Sequence, residues 1–225
     1  MAFEVDHVFV CVGDEAQESA AIAALSEFGL DLTTRRTHQG QGTRNACACF
    51  DNAYLELLCP VDDAALGSEL VAPLMLRERI GWRDTGACPF GVSLRCLPNP
   101  EGIAAVKTWA YSPPYLPEGV SIPIVTPRGS PDEPLVFLSR SPAPVDLPAD
   151  RQPPLIQRGA RRRLTGLRIE GPGATSVCAE ARAVLADAGV VLEVASGPHV
   201  ELEWDGREEG CRTDFSPVLP LSIRW

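Results

Sequence analysis

A chain of 225 residues with 45% hydrophobic and 22% charged residues is long enough to bury a substantial core, which excludes disorder as its dominant state. Its formal charge of −10 argues against nucleic acid as a partner, because that binding depends on Lys and Arg neutralising phosphates. The apolar runs are short and broken, and MAFEVDH carries neither a basic region nor an apolar stretch, so no membrane or secretory destination is expected and the cytoplasm is the expected compartment.

Phe3 to Val12 is rich in Val and Phe and reads as a strand, followed by a polar turn at Gly13-Asp14-Glu15. Ala16 to Phe28 reads as a helix, with Ala21, Leu25 and Phe28 on one face and Gly29 where a C-terminal cap falls. Leu30 to Arg36, Ala46 to Phe50 and Tyr54 to Cys59 are predicted strands, the last two joined by the turn residues Asp51-Asn52. Further on, 14 of the 21 prolines fall between Pro98 and Pro154, which excludes long helices there. Phe90 to Cys96, Val120 to Val125 and Leu135 to Leu138 are short predicted strands in this stretch, which reads either as a lid or as fixed loops. Pro142 to Pro154 reads as a connecting segment.

The opening pattern then returns. Leu164 to Glu170 reads as a strand, Gly171-Pro172-Gly173 as a turn, and Ser176 to Ala188 as a helix ending at Gly189. From His7 to Gly29 is 22 positions and from Gly166 to Gly189 is 23, which predicts an internal repeat. Each copy closes on a strand bearing Leu and Glu, Tyr54 to Leu58 in the first and Val200 to Trp204 in the second. The expected division is a βαβββ module over 1–85, a degenerate Pro-rich module over 86–145, a linker over 146–163, and a βαββ-type module over 164–225. Arg158, Arg161, Arg162 and Arg163 are expected to be solvated linker residues, with a small anion site as the alternative. Eight cysteines with no CxxC pair are expected to be free thiols, those beside strands packing as small hydrophobes.

Asp6-His7-Val-Phe-Val-Cys-Val12 with the following helix and Gly29, then His38-Gln-Gly-Gln-Gly-Thr43, Asn45, Phe50 and Tyr54-Leu-Glu-Leu-Leu58, resemble a glyoxalase-like domain of the vicinal-oxygen-chelate superfamily over about residues 3 to 60. The resemblance implies an α+β fold of curled mixed sheets, built from repeated βαβββ modules with helices on the outer face, and a divalent metal (Fe, Mn, Zn or Ni) in the concave face. Phe90-Gly, Trp109-Ala-Tyr111, Pro113-Pro-Tyr115-Leu-Pro117 and the closing Leu219-Pro-Leu-Ser-Ile-Arg-Trp225 resemble a bacterial branch of that group, which implies a pocket without fixing a reaction.

Strand alternation places Val5, His7, Phe9 and Cys11 on one face, and Tyr54, Glu56 and Leu58 on one face, so that His7 and Glu56 can share a cavity. They match a metal-ligand pair of the superfamily. The other half of that site is missing: Gly166 stands where the second copy would carry its His, and the middle strands offer neither His nor carboxylate. The plainer reading of His7 is a structural histidine hydrogen-bonded within its strand. His38 is a candidate general acid or base, beside Gly40, Gly42 and Thr43, whose backbone N–H groups and hydroxyl suit an oxyanion; the alternative is a plain turn with an exposed His. Thr43, Asn45, Trp109, Tyr111 and Tyr115 are candidate pocket residues, the aromatic ones alternatively anchoring their loop. His199, Glu201 and Glu203 are expected on the solvent face of their strand.

The resulting expectation is an enzyme of isomerase, lyase or dioxygenase type, with His7 and Glu56 holding a metal or polarising a substrate oxygen and His38 shuttling a proton. The alternatives are a non-catalytic protein that sequesters a small organic molecule, and a scaffold or dimerisation module with a vestigial cavity. The repeat is compatible with pairing inside one chain or in a homodimer.

Overall fold

A computed structural model describes residues 2–32, 36–96, 104–155, 157 and 162–225. It consists of two mixed sheets with helices between them. The eight-stranded sheet contains β1 (Phe3–Cys11), β2 (Arg36–His38), β3 (Thr43–Cys49), β4 (Tyr54–Pro60), β5 (Phe90–Cys96), β6 (Trp109–Tyr111), β7 (Ile122–Ile124) and β8 (Leu135–Ser139), ordered β2-β3-β4-β1-β5-β8-β7-β6. The five-stranded sheet contains β9 (Leu164–Glu170), β10 (Val190–Glu193), β11 (His199–Trp204), β12 (Arg212–Asp214) and β13 (Leu221–Arg224), ordered β10-β9-β11-β13-β12. The expected α+β architecture, with a curled mixed sheet, is present.

α1 (Glu15–Phe28) starts where the Asp14 carboxylate accepts the Gln17 N–H at 2.8 Å and stops at Gly29, whose φ of 107° suits a residue without Cβ. Its buried face, Ala21 and Leu25, packs on the convex side of the large sheet. The matching C-terminal helix, α5 (Ala179–Asp187), also lies against β1. Phe28 closes the sandwich by packing on Trp204, Phe215 and Trp225 of the small sheet. The outer helices are therefore covered by a second layer, and one apolar core runs from Val8 and Val10 to Trp204 and Ile223.

Three sequence expectations change. Leu30 to Leu32 form no ladder, because Leu30 N–H caps the helix on Leu25 O and Asp31 N–H donates to Gln157; residues 33–35 lie outside the described residues, and the strand itself is β2. α5 begins three residues later than expected, because Glu133 takes the Cys178 N–H at 2.8 Å and Cys178 becomes the cap. Val200 to Trp204 is not the counterpart of Tyr54 to Leu58: β4 runs parallel to β1, whereas β11 runs antiparallel to β9, and β10 takes the parallel place. With Gly189 immediately before β10, the chain returns beside β9 at once.

Between β4 and β5 the chain makes three short helices, α2 (Asp63–Leu66), α3 (Leu76–Ile80) and α4 (Trp82–Thr85). The fully buried Arg79 of α3 ties them down by donating to the carbonyls of Leu74, Cys88, Ser130, Pro131 and Glu133. These carbonyls satisfy a guanidinium that would otherwise be costly to bury. All eight cysteines are free thiols.

Candidate functional site

The site starts from a β-bulge. β1 pairs Val5 with Leu94 and His7 with Ser93 on β5, leaving Asp6 as an extra residue. The bulge breaks the simple alternation: Val5 joins the convex core with Val8 and Val10, while Asp6, His7 and Phe9 all line the concave side. The expectation that Val5 shares the face of His7 is therefore corrected.

Asp6 sits 3% exposed and is held by Arg95, by the Ser93 hydroxyl at 3.3 Å and by His7 Nδ1 at 2.8 Å. Burial by itself would raise its carboxyl, but the His7 hydrogen bond and the charges of His7 and Arg95 hold it below the usual aspartate value. An ionised carboxylate only accepts, so Nδ1 of His7 carries the proton and Nε2 faces the cavity. Tyr54 stacks on the imidazole at 4.2 Å and 17°, and Phe137 meets it edge-on at 5.3 Å, fixing the ring plane. Because β4 lies parallel to β1 with His7 opposite Tyr54, Glu56 follows on the same face. Its Oε2 lies 3.5 Å from His7 Nε2, and its Oε1 accepts from Asn45 Nδ2 at 2.8 Å.

His38 ends β2 and is buried, which removes the reading of an exposed turn histidine. Gln41 Nε2 donates to Thr43 Oγ1 at 2.8 Å, and the same hydroxyl lies 3.0 Å from His38 Nδ1. Gln41 Nε2 also approaches Nδ1 at 3.4 Å. The hydroxyl can donate or accept, but an amide N–H only donates, so the Gln41 contact favours a bare Nδ1 with the His38 proton on Nε2. Burial lowers the His38 pKa, partly opposed by the Glu56 charge, which favours the neutral ring. The other end of Gln41, Oε1, accepts the Tyr111 hydroxyl at 2.9 Å and the Tyr115 hydroxyl at 3.1 Å. Tyr111 lies on β6 and Gln41 in the β2–β3 turn, so this amide bridges the two edge strands of the curled sheet. Gln41 was not singled out in the sequence; its position between two glycines was the only signal.

Those glycines serve packing. A Cβ on Gly40 would lie 2.3 Å from Pro114 Cγ and one on Gly42 would lie 2.3 Å from the Asp62 carbonyl oxygen, and both residues have positive φ. Neither lines the cavity, so the expected oxyanion cradle is replaced by a tight seam.

The cavity encloses about 610 Å³ and brings together His7, His38, Asn45, Glu56, Tyr111 and Tyr115. Thr43 stands behind its wall, fully buried, holding His38. Trp109 stands outside the lining, its indole N–H bound to Thr126 O at 2.8 Å and its ring under the Arg128 guanidinium. His199, Glu201 and Glu203 line one face of β11 in pairs with Ser222, Arg212 and Arg207. Arg158 and Arg161 lie outside the described residues, while Arg162 pairs with Asp51 at 3.0 Å.

His7 and Glu56 offer two donors for a metal, and Asp6, the nearest further carboxylate, is committed to Arg95 and His7. Among the described residues no group of three His, Cys, Asp or Glu side chains is placed to hold a metal ion. A resident divalent metal usually takes three or more protein ligands, and these residues do not fit one. Among the described residues no helix is long and apolar enough to cross a membrane.

A family model described as "Glyoxalase-like domain" matches residues 5–164, the span of the large sheet up to the start of β9. No curated protein matches the chain. Among solved structures, a hypothetical protein from Staphylococcus aureus superposes with a TM-score of 0.58 at 8% identity, covering 99% of each chain. A xylose isomerase-like TIM barrel/4-hydroxyphenylpyruvate dioxygenase fusion protein gives 0.53 at 12% identity, over 89% of this chain and 36% of that one. A methylmalonyl-CoA epimerase in complex with methylmalonyl-CoA gives 0.41 at 17% identity, over 68% of this chain and 100% of that one. The first two likenesses establish a shared fold.

Proposed function

The chain belongs to the glyoxalase-like domain family, and from that premise we propose that it is a small-molecule enzyme of isomerase type, moving a proton at a carbon next to a carbonyl group. The observation that carries this reading is that two imidazoles facing one cavity have opposite partners at Nδ1, a carboxylate acceptor for His7 and an amide N–H for His38, which we read as opposite tautomers. His7, with its proton on Nδ1 against Asp6, turns Nε2 towards Glu56 and the cavity, where the neutral ring offers a lone pair. His38, with Nδ1 occupied by Thr43 and the Gln41 amide, presents an N–H at Nε2 in this reading. One pole accepts a proton and the other donates a hydrogen bond.

In this mechanism His7 Nε2 takes the proton from the substrate carbon. The imidazolium that forms lies between the Asp6 and Glu56 carboxylates, which stabilise its charge, and Tyr54 holds its plane. His38 Nε2–H hydrogen-bonds the substrate oxygen as negative charge develops there. Being neutral, it donates without surrendering its proton to water. His7 then returns the proton, to the same carbon in exchange or, where the enolate is conjugated with a further C=C, to the distal carbon, so the carbonyl is restored and no group is consumed.

With only three histidines in the chain, ¹⁵N-resolved NMR of the imidazoles reads both tautomers directly. His7 as the Nδ1–H form and His38 as the Nε2–H form is the expected result. Deuterium uptake from D2O into carbonyl compounds with an adjacent C–H is expected to fall in His7→Gln and Glu56→Gln. An Nδ1–H form for His38, or a stoichiometric metal lost on His7→Ala, would overturn the mechanism. Ligand binding without any deuterium uptake would favour the sequestering protein instead.

A further inference from the structure

We infer that the cavity takes an organic anion, a small molecule whose carboxylate meets Arg36 and Arg140 while its apolar body lies along Phe9, Ile124, Leu135 and Phe137. Among the described arginines, Arg79 and Arg182 are held by backbone carbonyls, Arg83 by Gln17 and Arg128 over the Trp109 ring, and most of the others have a carboxylate. Arg44, Arg95, Arg162, Arg168, Arg207 and Arg212 all have one. Arg36, the first residue of β2, and Arg140, just past β8, line the cavity, and neither has an ion pair or hydrogen bond among the described residues.

The charge balance of the lining points the same way. Asp6 is neutralised by Arg95, leaving Glu56 as the carboxylate facing two open guanidinium groups. Arg36 and Arg140 are exposed residues at the rim of the cavity, and the Arg36 charge lies near enough to lower the pKa of His38 and to oppose the rise at Tyr115. A planar guanidinium with free N–H groups matches a carboxylate in two-point geometry, and an enclosed site of this size takes a molecule with one polar end and an apolar remainder. Phe9, Ile124, Leu135 and Phe137 form the apolar wall, continuous with the core cluster on the concave side. Repulsion from the rest of this acidic surface would hold such a substrate off, so a local positive pair also guides it in.

The inference rests on the proton-transfer reading only for the place of the reacting carbon, and two readouts keep them apart. Calorimetry compares 2-oxo-4-phenylbutanoate with its uncharged amide. The acid is expected to bind at least about tenfold more tightly, equivalent to ~1.4 kcal/mol, and added salt should weaken the acid alone. In the Arg36→Gln/Arg140→Gln double variant the acid should weaken to the level of the amide, with amide affinity and the His38 NMR signature unchanged. Equal affinity for the two probes, no binding of the acid at millimolar concentration, or a preference that survives in the double variant would each overturn it. Deuterium uptake is scored separately: tight acid binding without uptake leaves the anion site standing and removes the proton-transfer reading.

Discussion

The two sheets share a central plan. In the large one, β4-β1-β5-β8-β7 run in the same sequence of directions as β10-β9-β11-β13-β12 in the small one, each with its helix on the inner side. Their outward faces nevertheless differ in kind. On the small sheet the polar side chains neutralise one another, Arg168 with Glu193, Glu201 with Arg212 and Arg224, Glu203 with Arg207. On the large sheet two added edge strands, β2 and β3, and β6 beyond β7 curl the face around a cavity, and the polar groups there are satisfied on one side only. His7, His38, Arg36 and Arg140 each keep atoms pointed at open space.

Substitutions should separate the faces. His7→Ala is expected to lower deuterium uptake by roughly 10²–10⁴-fold, the usual weight of a positioned acid or base, while His199→Ala on the small sheet leaves uptake unchanged. Comparable losses in the two variants would erase the distinction. Trp204→Ala removes a fully buried ring from the interlayer core and should cost about 3–5 kcal/mol in urea unfolding without altering the histidine tautomers.

Gln41→Leu tests the seam between the edge strands. Losing its hydrogen bonds to Thr43 and both tyrosines should cost about 1–3 kcal/mol and release the His38 tautomer, whereas a purely structural Gln41 would lower stability and leave the NMR signature intact. Acid should act mainly on the cavity side. Burial holds the His38 pKa below the ordinary histidine value of 6.5, so the unfolded chain binds that proton more readily and stability falls as pH drops below about 6.5. Asp6, also lowered from 3.8, adds a further loss as pH falls through the range below that value. His38→Asn should flatten the first part of the profile, and an unchanged slope between native and variant protein would contradict the buried, neutral ring. The smallest effect is expected at Arg162→Ala, whose side chain is 66% exposed and whose pair with Asp51 is worth less than about 1 kcal/mol.

Much of the first module is legible because its signals are local. Asp14 and Gly29 bracket α1, alternation predicts the Tyr54, Glu56, Leu58 face, and His7 and Glu56 fall together once β1 and β4 are parallel neighbours. Asp6 was read only as part of a motif, because a bulge is set by the partner strand and leaves no mark in alternation. Gln41 looked like turn filler, since its tyrosine partners lie about 70 residues away. Trp109 carried the expected chemistry for a pocket wall, but the Thr126 carbonyl and Arg128 claim it.

Composition and periodicity, properties of neighbours along the chain, determined by themselves the opening strand and helix, the place of both main helices to within a few residues and, among the described residues, the absence of long helices in the Pro-rich middle. Tertiary structure alone decided which groups meet Nδ1 of His7 and of His38, that among the described residues the metal donors near His7 stop at two, and that Arg36 and Arg140 line the same cavity with no ion pair among the described residues. Those outcomes depend on hydrogen-bond partners and charges brought together across strands far apart in sequence, where a displacement of one residue in register exchanges a cavity group for a core one.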